Sequence, residues 1–222
     1  KTYQEHTDMS MALNACIEHG FQGFRIVIQP QVETKNGRMF GGEVLLRWKN
    51  EGKEISPSKF VPILEQTGMI APVGKWILEE TMRKGKEILK YQPDFRLSVN
   101  VSYLQIMDQK FFPFLEDTME RFQIPAENLL IELTETHFDE MPEHLQRFIR
   151  QCKQIGIRFA LDDFGSAYSG LQLLLQYPAD LIKLDRTLMR EITTSKEKMR
   201  FIMSVLKRSG SISTSPCSQR MS

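Results

Sequence analysis

The chain has 222 residues, of which 41% are hydrophobic and 26% charged, with a formal net charge of +1. This is the composition of a globular domain long enough to bury a sizeable core without disulfides. The near-neutral charge excludes an electrostatic case for binding DNA, RNA or an anionic membrane, and no apolar run approaches the roughly 18 residues of a membrane span.

Taken in order, the chain opens with helix-like apolar spacing over Thr7 to His19, closed by Gly20. Phe24 to Val32 reads as a strand that gives way to Gln29-Pro30. Asn36-Gly37 is a hairpin signal, and Gly42 to Trp48 is the returning, antiparallel strand. Ser56-Pro57 has the order of an N-cap and a first-turn proline, and starts a helix carrying Phe60, Val61, Ile63 and Leu64 that Gly68 closes. A second helix is predicted over Pro72 to Lys90. From Phe95 the pattern repeats. Strands are predicted over Phe95–Val101, Leu129–Thr134, Ile157–Leu161 and Leu181–Leu184, and helices over Tyr103–Phe122, Pro142–Ile155, Ser169–Gln176 and Glu197–Arg208.

Six strands alternating with helices imply parallel βαβ units. A (β/α)8 barrel places functional groups at the C-terminal ends of its strands, where the polar residues of this chain fall. A doubly wound sheet would carry a Gly-rich loop after the first strand, and none is present. Cys16, Cys152 and Cys217 are far apart in metal-ligand and redox terms, which points to reduced thiols and a cytoplasmic setting. The chain begins at Lys1, which leads us to expect a piece of a longer protein: residues 1–8 a linker from an upstream domain, 9–208 the barrel domain, and the Ser-rich stretch 209–222 a disordered tail.

The chemistry gathers at the strand ends: Glu43, Asn100, Glu132, Asp162, Asp163 and Lys183. Adjacent carboxylates such as Asp162 and Asp163 repel each other unless cations or donors neutralise them. Carboxylates with one amide oxygen suit hard cations such as Mg2+ or Mn2+, and the lack of His or Cys beside them argues against zinc. Two metals about 3.5–4 Å apart would clamp a phosphodiester. Lys183 would orient the attacking water or offset developing charge, and the planar fork of Arg47 would hold a phosphate. Each residue also has a plain reading: a lone acid at a strand end is usually a solvated charge, Asn100 would cap a helix, and Glu135 and Lys183 would form an ion pair. The set as a whole favours the metal site.

The motifs resemble the EAL domain family of cyclic di-GMP phosphodiesterases from about Met9 to Lys207. The resemblance rests on Gln29-Pro30, on Glu43-Val44-Leu45-Leu46-Arg47-Trp48 (with Val44 where the family has Ala), and on Leu97 to Ser102. It continues through Ile131-Glu132-Leu133-Thr134-Glu135, Asp162 to Gly170, and Lys183-Leu184-Asp185. It implies a TIM-like barrel with an antiparallel first strand. It also implies Mg2+ or Mn2+ held by Glu43, Asn100, Glu132 and Asp162, with Asp163 serving a second metal. Glu43, Asp163 and Lys183 would be catalytic, with Lys183 positioning the attacking water. Gln29, Arg47 and Asp185 would bind the dinucleotide, and Glu135 would steady the loop after Asp163. The implied reaction opens cyclic di-GMP to linear pGpG. The implied partners are a second copy of the barrel and an upstream sensor or GGDEF-type domain, with the parent protein in the cytoplasm or on the cytoplasmic face of a membrane.

The sequence departs from the family at Ala167, where Gly is usual, and at Gly170, where Ser is usual. After Arg208 it carries neither of the family's last two strands, the first of which bears a Glu-Gly-Val-Glu motif. The resulting expectation is a C-terminally truncated or frameshifted barrel with an impaired second metal site and very weak turnover or none. The alternative is a receptor or interaction module that binds cyclic di-GMP without cleaving it.

Overall fold

A computed structural model describes residues 2–134, 143–164, 179–185 and 188–190, together with positions 194, 197 and 200. Helix α1 (Thr2–Glu18) leads into strand β1 (Phe24–Val32), the hairpin partner β2 (Met39–Asn50) and a short strand β3 (Lys53–Ile55). Helices α2 (Pro57–Gln66) and α3 (Ile70–Leu89) follow, then β4 (Arg96–Asn100), α4 (Tyr103–Met107), α5 (Phe111–Phe122) and β5 (Leu129–Thr134). The described part closes with α6 (Glu143–Ile155), β6 (Arg158–Phe164) and β7 (Leu181–Leu184).

The strands form one sheet in the order β1-β2-β4-β5-β6-β7, with β3 also paired to β2. β1 is antiparallel to β2, as the Asn36-Gly37 hairpin predicts, and the pairs from β2 to β7 along this path are parallel. The architecture is therefore the expected α/β fold with an antiparallel first strand.

Side-chain alternation separates the two faces of the sheet. Leu97, Val99, Leu129, Ile131, Leu133, Phe159, Leu161, Ile182 and Leu184 point outward into the main core beneath the helices. Helix α6 meets that core with Leu145, Phe148, Ile149 and Cys152, one stripe at helical spacing. A second core joins Leu13, Phe24, Trp48, Phe60, Leu64 and Val73 and fixes α1 and α2 against the β1–β2 ribbon. Trp48 and Phe60 meet edge to face, ring centres 5.5 Å apart. On the opposite, inner face, Leu130, Ala160 and Leu181 form a small apolar layer. Helix α2 starts as predicted: Ser56 is extended (φ −63°, ψ 135°) and Pro57 takes the first turn.

Several elements differ from their sequence-based bounds. Helix α1 begins at Thr2, five residues before Thr7. The helix predicted over Tyr103–Phe122 is broken at Asp108, whose extended backbone (ψ 112°) ends α4 and whose Oδ1 accepts the Lys110 N–H at 2.9 Å. β3 is a seventh strand that the periodicity did not mark, since three residues are too short to show alternation. β2 runs to Asn50, so Glu43 is interior to its strand and not at its end: the upper half of β2 projects past β4, held between β1 and β3. Likewise Asp162 and Asp163 lie within β6 and not beyond it. The helix expected over Ser169–Gln176, the positions Ala167 and Gly170, Cys217, and the stretch after Arg208 on which the expectations of truncation and of a Ser-rich tail rest lie outside the described residues. So does the helix over Glu197–Arg208, apart from positions 197 and 200.

Candidate metal centre

Parallel pairing sets the inner-face residues at matched heights. Glu43 on β2 lies opposite Ser98 on β4, Asn100 opposite Glu132 on β5, and Thr134 opposite Asp162 on β6. Between β6 and β7 the register slips. Leu161 pairs with Ile182 and Phe164 with Leu184, so Asp162 and Asp163 together face Lys183 alone. That is a β-bulge, which re-aims a side chain where a strand must serve a site. The extra residue is Asp163, in the left-handed region at φ 53°, a conformation an Asp tolerates better than a branched side chain. Its N–H donates to Asp162 Oδ1 at 2.9 Å, which steadies the Asp162 carboxylate over the inner face.

At the centre, Lys183 Nζ donates to Glu132 Oε2 at 2.6 Å, Glu43 Oε2 at 3.0 Å and Asp162 Oδ2 at 3.1 Å. Glu132 is fully buried, and Glu43 and Lys183 nearly so. Asn100 Nδ2 donates to Glu43 Oε1 at 3.2 Å. Burial pushes the Glu132 carboxyl up to about 7; the ammonium opposes the shift while Glu43 and Asp162 reinforce it. Burial pulls the Lys183 ammonium down, but Glu132, Asp162 and Glu43 outweigh it and hold the group above its ordinary value.

Three carboxylates facing one ammonium leave negative charge in a dry pocket. Oxygens of Glu43, Glu132 and Asp162 lie within 4.8 Å of one another, and Glu132 Oε1 is buried with no hydrogen-bond partner among the described residues. An unpartnered buried carboxylate oxygen is costly unless a cation takes it. These residues therefore fit a hard divalent ion bound by oxygen ligands.

The other predicted residues are spread more widely. Gln29 sits directly across from Glu43, half-buried. Arg47 is four residues beyond Glu43 on the same strand face, about 13 Å along the strand, and its Nη1 donates to the Leu46 carbonyl at 2.9 Å. Asp185 is just past β7, its N–H on the Phe164 carbonyl at 3.1 Å. Asp163 is exposed and is not one of the three clustered acids. Glu135 lies outside the described residues, and the described partners of Lys183 are the three acids above. Asn100 does not cap α4: Ser102 is the N-cap, and its N–H goes to Gln105 Oε1 at 3.0 Å. Sequence reasoning passed over Arg25, which lies directly opposite Arg47. No sequence signal pointed to it, because the pairing depends on a register shift between Gln31 and Val32 that the Asn36-Gly37 turn does not set.

A family model described as "EAL domain" matches residues 12–213 of the chain. Among curated relatives, the cyclic di-GMP phosphodiesterase PdeR of Escherichia coli is 33% identical over 165 residues, 74% of this chain and 25% of that protein. The bifunctional diguanylate cyclase/cyclic di-GMP phosphodiesterase MucR of Pseudomonas aeruginosa is 29% identical over 180 residues, 80% of this chain and 26% of that protein. The chain thus spans about a quarter of the length of these relatives. The solved structure of the PaMucR phosphodiesterase in complex with c-di-GMP superposes with a TM-score of 0.82 at 27% identity, covering 92% of this chain and 85% of that one. The EAL domain of Xanthomonas citri FimX, solved with c-diGMP, shares the fold at 21% identity and a TM-score of 0.80, covering 96% of this chain and 83% of that one.

Proposed function

This chain belongs to the EAL domain family, and from that premise we propose that it is a metal-dependent phosphodiesterase acting on cyclic di-GMP. The observation that carries the proposal is the buried convergence of Glu43, Glu132 and Asp162 on Lys183 Nζ, all three oxygens within 3.1 Å of it. Two relatives with this function by name, PdeR and MucR, support the choice of reaction.

Glu43, Glu132 and Asp162, with the Asn100 amide, would hold Mg2+ or Mn2+, and Asp163 on the bulge would serve a second ion. Such ions supply Lewis acidity and charge neutralisation at a phosphodiester. The rest falls to the protein's own groups. Lys183, held protonated by the acids around it, would turn one of its three N–H groups from a carboxylate to the attacking water and hold it in line with phosphorus. The water oxygen bonds to phosphorus, one bridging P–O bond to ribose breaks, and the released oxygen takes up a proton. Gln29, beside Glu43, and Asp185, past β7, line the approach to the centre and orient the nucleotide. Arg47 carries a phosphate on its guanidinium fork. Burial of Glu132 keeps the pocket dry, where each of these electrostatic contacts is strongest.

The test is incubation of the purified chain with cyclic di-GMP and Mn2+, following pGpG by chromatography and ligand by equilibrium dialysis. Formation of pGpG that is abolished by Lys183→Ala supports the reading. Binding without any pGpG would make the chain a receptor for the dinucleotide instead.

A further inference from the structure

We propose that Arg25, which no motif singled out, forms with Arg47 a paired-guanidinium clamp for the second, uncleaved phosphate of the dinucleotide, and that Glu54 is the clamp's built-in counter-ion. The inference deepens the phosphodiesterase reading and rests on it.

The geometry follows from the β1–β2 ribbon. Phe24 and Trp48 pack into the core shared with α1 and α2, with Leu46 against it, and Ile26 packs into the main core. The alternate residues therefore face the other way, on the side of Gln29 and Glu43. On these two strands that face reads Gln29, Val27, Arg25 and Glu43, Leu45, Arg47, Lys49, with Gln29 opposite Glu43 and Arg25 opposite Arg47. Cations directly opposed across a strand pair repel each other. Arg25 is relieved by Glu54 on β3, whose Oε1 accepts from Arg25 Nη2 at 3.0 Å across the intervening β2. The half-buried Arg47 has no carboxylate partner among the described residues, and its Nη1 donates to the Leu46 carbonyl. The ribbon thus sets two arginines at opposed positions on one face, one of them without a carboxylate among the described residues. They stand above half-exposed Val27 and Leu45, which give an apolar floor between the forks and the metal centre.

A cyclic dinucleotide carries two phosphodiesters. One lies at the acidic centre during cleavage. The other brings negative charge that the carboxylates repel, and it requires cations at a distance along the same face. Two guanidinium forks match a phosphate's oxygens in charge and plane. The Arg25–Glu54 pair is about half exposed on both sides, so it is weak enough to open. Phosphate binding then exchanges Glu54 for the ligand on Arg25, and Glu54 sets the affinity by competing for it.

The test is the dissociation constant of cyclic di-GMP for the whole purified chain at two ionic strengths, in chelator so that no turnover occurs. KM and kcat are then measured with Mn2+. The clamp predicts that Arg25→Gln weakens binding about tenfold and lessens its salt dependence, with the change falling on KM and not on kcat. Arg25→Lys, which keeps the charge but loses the fork, lies between. Glu54→Gln tightens binding about threefold. Circular dichroism confirms folding, and loss of the Arg25–Glu54 pair affects stability in both variants alike, whereas the clamp moves affinity in opposite directions. Binding by the wild-type chain with the same affinity and salt slope in Arg25→Gln and Glu54→Gln overturns the clamp and leaves the phosphodiesterase reading standing. Neither binding nor pGpG formation by the wild-type chain with Mn2+ overturns both.

Discussion

Lys183 on β7 and Glu43 on β2 touch at 3.0 Å, although three strands, β4, β5 and β6, lie between theirs in the sheet. Four steps of about 4.8 Å would hold them roughly 19 Å apart in a flat sheet. Their contact shows that the described strands curl round a common interior, and it makes this one ion pair both a tie across the arc and the middle of the metal centre.

Removing the ammonium leaves three acids facing each other in a dry pocket. Lys183→Ala is expected to destabilise the metal-free chain by about 3–5 kcal/mol, the cost of stripping one partner from a buried ion pair. A divalent ion that binds only the folded state restores stability by mass action. Mn2+ should therefore raise the melting temperature of Lys183→Ala more than that of the wild type. Equal shifts in the two proteins would count against a shared position for ammonium and metal.

Glu132 makes the centre sensitive to pH. Its folded pKa is pushed up to about 7 from an ordinary 4.5, so between those values the folded state holds a proton that the unfolded chain releases. Stability from this group is greatest near and below pH 4.5 and is lost as pH rises through 7. Urea unfolding of the metal-free chain from pH 5 to 8 should show this fall, and Glu132→Gln should flatten it. Metal competes with the same proton, so Mn2+ affinity should rise over the same interval in the wild type.

Asp163 has separable backbone and charge roles. At φ 53° a β-branched residue is strained, so Asp163→Val should cost about 1–2 kcal/mol. Asp163→Asn should unfold like the wild type. If Asp163 serves a second metal, Asp163→Asn should nevertheless lose most pGpG formation. Wild-type turnover by Asp163→Asn would remove that role.

Gly41 tests the seam beneath the site. A Cβ there would lie 2.6 Å from the Arg96 carbonyl oxygen, and backbone cannot swing aside as a side chain does. Gly41→Ala should cost about 1–3 kcal/mol, read by thermal melting. By parting β2 from β4 two residues below Glu43 it should also weaken Mn2+ binding.

What the sequence by itself determined was the order of elements and the inventory of the site. Alternation in β4 to β7, the Asn36-Gly37 hairpin and the Ser56-Pro57 helix start are local signals, set by backbone sterics and by which side chains avoid water, and they reappear within a few residues. The acids, the amide and the lysine were legible because their spacing repeats with the strands. Three things belonged to the tertiary structure alone. The projection of β2 past β4 moved Glu43 into mid-strand, because only pairing with β1 and β3 lets a strand run on beyond its parallel neighbour. The bulge at Asp162-Asp163 arises from a register slip against β7 that one strand's sequence does not contain. The meeting of Lys183 with Glu43, residues separated by 140 positions, depends on the accumulated twist and curl of the whole sheet. Local chemistry chose the groups; the curvature of the sheet brought them within a hydrogen bond of each other.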